Sequence, residues 1–242
     1  AVERDPDLLM EDLRLLRRFN FNAIRSSHYP NILEFYDRCD ELGFYVIDEA
    51  NLESHGDNPF PSDCYGLFGP HSRFGNDPSW QGALVSRMLG PVSRDANHAC
   101  VIVWSLGNEA GTGTAMASGY RLIKERDLQR RPVQYEANGS PRYCSDIVCP
   151  MYAGVKDITE YALKAANDKN LRPLILCEYQ HAMGNSNGNM DAYFKAFREH
   201  HILQGGFIWD WVDQGLVTEK SGVQCWGYGG DFGDEAYNLE DR

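Results

Sequence analysis

The sequence contains no window of 18 uncharged apolar residues, so no segment reads as a membrane-spanning helix. It also has no run of Lys or Arg. Its 23 basic residues are outweighed by 35 acidic ones, for a formal net charge of -12, which argues against nucleic acid and anionic lipid as partners. No CxxC pair is present, which argues against a structural zinc site. The 7 cysteines are odd in number and scattered, whereas a secreted disulfide framework has an even count in a shorter chain. Cys100 and Cys177 lie inside apolar runs and read as small core residues. A reduced, cytoplasmic protein is therefore expected. The opening Ala1-Val2-Glu3-Arg4 has no apolar segment of the signal-peptide kind. Internal repeats, low-complexity tracts and Pro/Gly/Ser-rich linkers are lacking too, so 1–242 reads as one domain.

What is present is an alternation of helical and strand patterns. Asp5-Pro6 starts a helix with the Asp as cap, and Leu9, Leu13, Leu16 and Phe19 follow at helical spacing. A short apolar segment, Phe21–Ser26, comes next. Asn31 caps a second helix with Ile32, Phe35, Tyr36, Cys39 and Leu42 inward, and Gly43 ends it. Phe44–Asp48 reads as a buried strand. Asp77-Pro78 opens a third helix with Trp80, Leu84, Met88 and Val92, and Val101–Leu106 is the strongest strand pattern. Further strands are expected at Val133–Glu136, Ile147–Met151, Leu174–Glu178 and Gly206–Asp210. Helical stretches fill 114–130, 157–169 and 189–199.

Short apolar strands separated by helices mean a parallel sheet covered on both faces. Seven of them in 242 residues point to a TIM (β/α)8 barrel, which typically has about 250 residues and eight strands. A doubly wound sheet would carry a Gly-rich turn after its first strand. Ser27-His28-Tyr29-Pro30 stands there instead. The chain opens with a helix, so the expectation is a barrel lacking its first strand. The alternative is a strand overlooked in Val212–Trp226.

A TIM barrel builds its active site at the C-terminal ends of its strands. Those ends carry Ser27-His28-Tyr29, Asp48-Glu49-Ala50-Asn51-Leu52-Glu53-Ser54-His55, Gly107-Asn108-Glu109, Glu136, Pro150-Met151-Tyr152, Cys177-Glu178-Tyr179-Gln180-His181 and Trp209-Asp210-Trp211. Glu109 and Glu178 each end a run too apolar to be an exposed edge, and a buried Glu needs a partner or a chemical role. Either one alone also suits a salt bridge at the rim. Two carboxylates beside aromatics suit glycoside hydrolysis, where one attacks the anomeric carbon and the other handles the leaving-group proton. Trp209 or Trp211 can offer a ring to the apolar face of a sugar, the other belonging to the core. Glu53 and His55 point the same way in extended chain. Spacing alone favours a hydrogen-bonded pair without metal.

Together these runs resemble glycoside hydrolase family 2. The motifs are Ser26-Ser27-His28-Tyr29-Pro30, Asp48–Gly56, Trp104–Glu109, Leu176–Ser186 and Gly205–Gln214, and they are closer to the large bacterial-type β-galactosidases than to the β-glucuronidases or β-mannosidases of the family. The resemblance implies a retaining hydrolase of terminal β-D-galactose, with Glu109 as acid/base and Glu178 as nucleophile. It implies Mg²⁺ on Glu53, His55 and Glu109, against the preference from spacing. It implies Tyr152 bound to the nucleophile, Asn108 on the sugar 2-hydroxyl, His28 and His181 on galactose hydroxyls, and Trp209 as the floor under the ring. The family's Na⁺ site is incomplete in this sequence, as are the first strand and the flanking β domains, and family members often form homo-oligomers. The alternative is a catalytically incompetent fragment that binds a sugar or a partner.

Overall fold

The computed structural model describes residues 6–54, 73–165, 167–182, 187–212, 215–227 and 229–232. The expected cap Asp5 and the ligand candidate His55 lie outside them. The chain alternates through α1 (Pro6–Arg18), β1 (Ala23–Arg25), α2 (Leu33–Leu42), β2 (Tyr45–Glu49), α3 (Arg73–Asn76), α4 (Pro78–Asp95), β3 (Val101–Ser105), α5 (Thr114–Arg126) and β4 (Val133–Gln134). It continues with α6 (Val155–Ala165), β5 (Leu174–Tyr179), α7 (Met190–Glu199), β6 (Leu203–Ile208), β7 (Leu216–Lys220) and β8 (Val223–Gly227). No described helix is long and apolar enough to cross a membrane.

Local chemistry sets several boundaries. Asp77 accepts the Ser79 amide at 2.8 Å to start α4, with Pro78 at the first helical position. Gly43 ends α2 in the left-handed conformation, φ 72°. Asn31 is not the cap of α2, although its Oδ1 accepts the Ile32 amide at 2.9 Å. Ile32 occupies the cap position with no side-chain bond. Phe19 and Trp80, which keep the helical spacing of their apolar neighbours, are exposed. Phe19 falls beyond the end of α1, whose Leu9 and Leu13 do the burying. Trp80 lies edge-on to Phe74, with ring centroids 4.7 Å apart.

The first four strands form a parallel sheet in the order β1-β2-β3-β4, and β5 pairs β6 in parallel. The expected strand Ile147–Met151 bridges these two sheets but is not a regular strand. Asp146 donates its amide to Val133 at 2.7 Å, and Val148 and Met151 form isolated parallel bridges to Leu174 and Glu178. Pro150 removes a donor from this segment, which interrupts a regular ladder.

Strand alternation separates two cores. Ile47, Val103, Ile147 and Cys149 pack with Cys177 in a cluster drawn from successive strand segments and from no helix, which is the barrel interior. Val46, Trp104 and Val133 face outward into a larger cluster with Leu13, Phe35, Met88 and Ile123 of the helices. Cys39, Cys100, Cys144, Cys149 and Cys177 are all buried and unpaired. Side chains, rather than a described strand, link β6 to β1. His28 stacks on Trp209 at 4.8 Å, and Trp211 donates to Asp12 at 3.1 Å. The overlooked-strand alternative is met by a hairpin: β7 and β8 pair antiparallel through Ser221 and Gly222, both at positive φ, as a tight two-residue turn requires. Among the described residues this hairpin pairs with itself and adds no strand to the barrel.

Candidate active site

The centre of the site is Arg25, the last residue of β1. Its side chain is 3% exposed. It donates from Nε to Glu49 Oε2 at 2.7 Å, from NH2 to Glu49 Oε1 at 3.0 Å and to Asn108 Oδ1 at 2.9 Å, and from NH1 to Glu178 Oε1 at 2.7 Å. Burial works against this charge, but Glu49, Glu178 and Glu136 hold the guanidinium pKa well above its ordinary value. A cation buried this deeply is tolerable because planar, charge-assisted bonds to carboxylates replace its hydration.

Strand alternation explains how Glu49 arrives there. Val46 faces the helices and Ile47 the barrel interior, so Asp48 points out and Glu49 in. Glu49 takes further bonds from Ser105 Oγ at 2.7 Å and pairs with His28 Nδ1 at 2.9 Å. Glu178 arrives differently. The β5–β6 register shifts between Leu176 and Tyr179. Cys177 packs in the interior cluster, Glu178 reaches Arg25, and Tyr179 returns to the outer cluster. A bulge of this kind re-aims a side chain at a barrel rim.

The strand ends place the remaining candidates around this pair. Tyr152 Oη donates to Glu178 Oε2 at 2.5 Å, and the Tyr152 amide donates to the Glu178 carbonyl at 2.9 Å. The Tyr152 hydroxyl is pushed to a far higher pKa by burial first, then by its bond to Glu178 and by the charges of Glu178 and Glu109. His181 packs edge-on to Tyr152 at 5.4 Å, and His28 Nε2 lies 4.0 Å from Glu178. Glu109 is partly exposed, and its amide donates to Glu136 Oε1 at 2.6 Å. Burial, with Glu49 adding, raises the Glu136 carboxyl to about 8, although Arg25 and the Glu109 amide oppose the shift. Asn108 is buried, and one of its N–H groups goes to Glu53 Oε1 at 2.9 Å, leaving the other for a ligand.

Backbone strain collects at the same rim. Glu109, Tyr152 and Gln180 sit at positive φ of 44°, 55° and 57°. Non-glycine residues persist in this region when the surroundings over-determine them, and they cluster at functional sites. Gly107 has φ 138°, and a Cβ there would lie 2.5 Å from the Leu52 carbonyl oxygen. The loop carrying Glu53 and the loop carrying Glu109 are thus in backbone contact, and Asn108 donates its amide to Leu52 at 2.8 Å.

The site brings together Glu53, Asn108, Glu109, Tyr152, Glu178, His181, His28 and Trp209, while His55 lies outside the described residues. Among the described residues no group of three His, Cys, Asp or Glu is arranged to hold a metal. Sequence reasoning missed Arg25 and Ser105 and gave Glu49 and Glu136 no role. The available signal was the Arg inside an apolar segment of only a few residues, a charge that such a strand must bury with partners.

The match to known proteins is decisive for the family. A model described as glycosyl hydrolases family 2, TIM barrel domain, matches residues 4–240. The chain belongs to glycosyl hydrolase family 2. A β-galactosidase of Vibrio cholerae is 51% identical over 247 aligned positions, covering 98% of this chain and 23% of that protein. One from Pseudoalteromonas haloplanktis is 50% identical, covering 97% and 22%. This family 2 chain thus spans less than a quarter of the length of these relatives. A β-glucuronidase structure from Ruminococcus gnavus superposes with TM-score 0.65 at 22% identity, covering 84% of this chain and 41% of that one, which shows the shared barrel fold.

Proposed function

We propose that this chain is the catalytic barrel of a retaining β-galactosidase, hydrolysing terminal β-D-galactosides by double displacement. The observation that carries the reading is the bonded set at one rim: Glu178 is held by Tyr152 and Arg25, Arg25 also reaches Asn108, and Glu109 follows Asn108 in the chain. Glu178 is the nucleophile. Arg25 compensates the charge on Oε1, and the Tyr152 hydroxyl bonds Oε2. Attack on the anomeric carbon forms the galactosyl ester and breaks the glycosidic bond, while Glu109 gives its proton to the leaving oxygen. Glu109 then takes a proton from water, which attacks the ester and releases Glu178. Tyr152 favours that release by donating to the departing carboxylate.

His28, held by Glu49 and stacked on Trp209, and His181 beside Tyr152 bind sugar hydroxyls. Trp209 offers its ring to the sugar's apolar face, and Asn108 gives its remaining N–H to the 2-hydroxyl. The metal fits in part: Glu53 is a hard oxygen donor bonded to Asn108, the neighbour of Glu109, and hard oxygen donors suit Mg²⁺. Glu53, Glu109 and His55 would hold it, and the ion would supply positive charge beside the acid/base. A cytoplasmic location and assembly into homo-oligomers complete the proposal.

The test is hydrolysis of a chromogenic β-galactoside with Mg²⁺, compared with Glu178→Gln and Glu109→Gln. Both substitutions are expected to remove nearly all turnover, and a 2-deoxy-2-fluorogalactoside is expected to label Glu178. Equal background rates in parent and variants, or a label on another residue, would overturn the assignment.

A further inference from the structure

Behind the site lies a second pair of carboxyls that the reaction does not use. Asp48 points out of β2 toward the helices and is 0% exposed, as is Asp95 at the end of α4. Both Asp95 oxygens accept from Arg94, at 2.7 and 2.8 Å. Asp48 Oδ1 accepts from Tyr36 Oη at 2.6 Å and Ser26 Oγ at 3.2 Å. Asp48 Oδ2 is buried and, among the described residues, receives no N–H or O–H. Asp95 belongs to the same buried cluster: Arg94, which holds both Asp95 oxygens, lies 5.3 Å over the ring of Tyr36, whose hydroxyl bonds Asp48. Two buried carboxylates cannot face each other without a proton between them. Asp95 already has a donor on each oxygen, so the proton belongs on the bare oxygen of Asp48.

We propose that Asp48 is a neutral carboxylic acid donating to Asp95, and that this proton sets the position of Glu49 and, through it, of the Arg25–Glu178 pair. The link is short. Ser26 Oγ contacts Asp48 and accepts the Glu49 amide at 2.9 Å, and Glu49 grips Arg25 with both oxygens. Asp48 is therefore a positioning residue, and its catalytic consequence rests on the assignment of Glu178 as nucleophile.

The groups facing Asp48 are Tyr36 from α2, Arg94 and Asp95 from α4, and Ser26 after β1. Farther out, Asp40 and His98 pair with each other at 2.9 Å. Burial first, with Asp95 adding and Tyr36 opposing, raises the Asp48 carboxyl to about 8. The folded state thus keeps a proton that the unfolded chain loses near the ordinary carboxylate value of about 4. Stability from this group is complete below that value, falls as pH rises, and is gone above about 8.

The experiment compares the parent, Asp48→Asn and Asp48→Ala by thermal unfolding from pH 4.5 to 9. Asn keeps the shape and an N–H toward Asp95 but does not titrate. The parent is expected to lose several degrees of Tm relative to Asp48→Asn between pH 5 and 8, the two curves then running parallel. Asp48→Ala is expected to be less stable than Asp48→Asn throughout. A protonated-carboxyl infrared band should be weaker in Asp48→Asn than in the parent, the buried Glu136 carboxyl being common to both. With an aryl β-galactoside, kcat of Asp48→Asn at pH 7 is expected within twofold of the parent. On the alkaline side the parent should lose kcat by a larger factor than Asp48→Asn, with KM unchanged. A constant Tm offset between parent and Asp48→Asn at every pH, or a missing infrared difference, would overturn the proton assignment. Should no chain turn over substrate, the proposed function falls, and unfolding and infrared still decide whether Asp48 is protonated.

Discussion

Replacing Arg25 by Met tests whether one buried cation organises the site. Met matches the length of the side chain and removes the charge. The change strands Glu49 at 0% side-chain exposure and Glu178 at 5%, and leaves Asn108 Oδ1 without the Arg25 N–H. Removing one partner of a buried ion pair costs about 3–5 kcal/mol, because the remaining charge stays desolvated. For a domain of this size, each kcal/mol moves Tm by about 2–4 °C, so the expected drop is roughly 6–20 °C at neutral pH. The loss is pH-dependent. Acidification protonates the stranded carboxyls, so the gap between parent and Arg25→Met narrows toward pH 4.5 and widens toward pH 8. Arg25→Lys is expected to fall between the two, since an ammonium cannot span Glu49 and Glu178 with the planar fork of a guanidinium. Thermal unfolding followed by circular dichroism across that pH range measures all three. An Arg25→Met protein within about 1 kcal/mol of the parent at neutral pH would refute the reasoning.

Three further substitutions probe other parts of the molecule. Tyr152→Phe removes a hydrogen bond to a charged carboxylate, an interaction worth about 1.5–3 kcal/mol, so kcat on a β-galactoside should drop roughly 10- to 150-fold. With Tyr152 41% exposed, its Tm should fall less than that of Arg25→Met, and an unchanged kcat would remove Tyr152 from the mechanism. Gly107→Ala places a Cβ 2.5 Å from the Leu52 oxygen at φ 138° and is expected to cost more than about 2 kcal/mol in urea unfolding. Gly82→Ala in α4, where a Cβ meets nothing within 4 Å, should instead gain about 0.5–1 kcal/mol. The reverse order of these two would contradict the loop contact inferred at Leu52.

Most elements were legible because their signals are local. Asp77-Pro78 and Gly43 mark helix ends by the bonds and dihedrals those residues favour. The runs at 44–48, 101–106 and 174–178 are too apolar to lie anywhere but in a covered sheet. Errors arose where burial depends on neighbours distant in sequence. Phe19 and Trp80 keep the helical spacing of their inward companions yet meet solvent. Ile147–Met151 has strand composition, but Pro150 and its position between two sheets leave bridges rather than a ladder.

The sequence by itself determined that carboxylates, histidines and aromatics stand at the ends of apolar strands, since that pattern needs only period-2 alternation and the break at each run's end. Long motifs extended this to the family. The fold in three dimensions added that Arg25 and Glu49 form the ionic centre, that a register shift turns Glu178 toward them, and that Asp48 and Asp95 are both buried behind the site. Each is a pairing of groups far apart in the chain, and the energy of such a pair depends on distance and shared burial, which the order of residues does not carry.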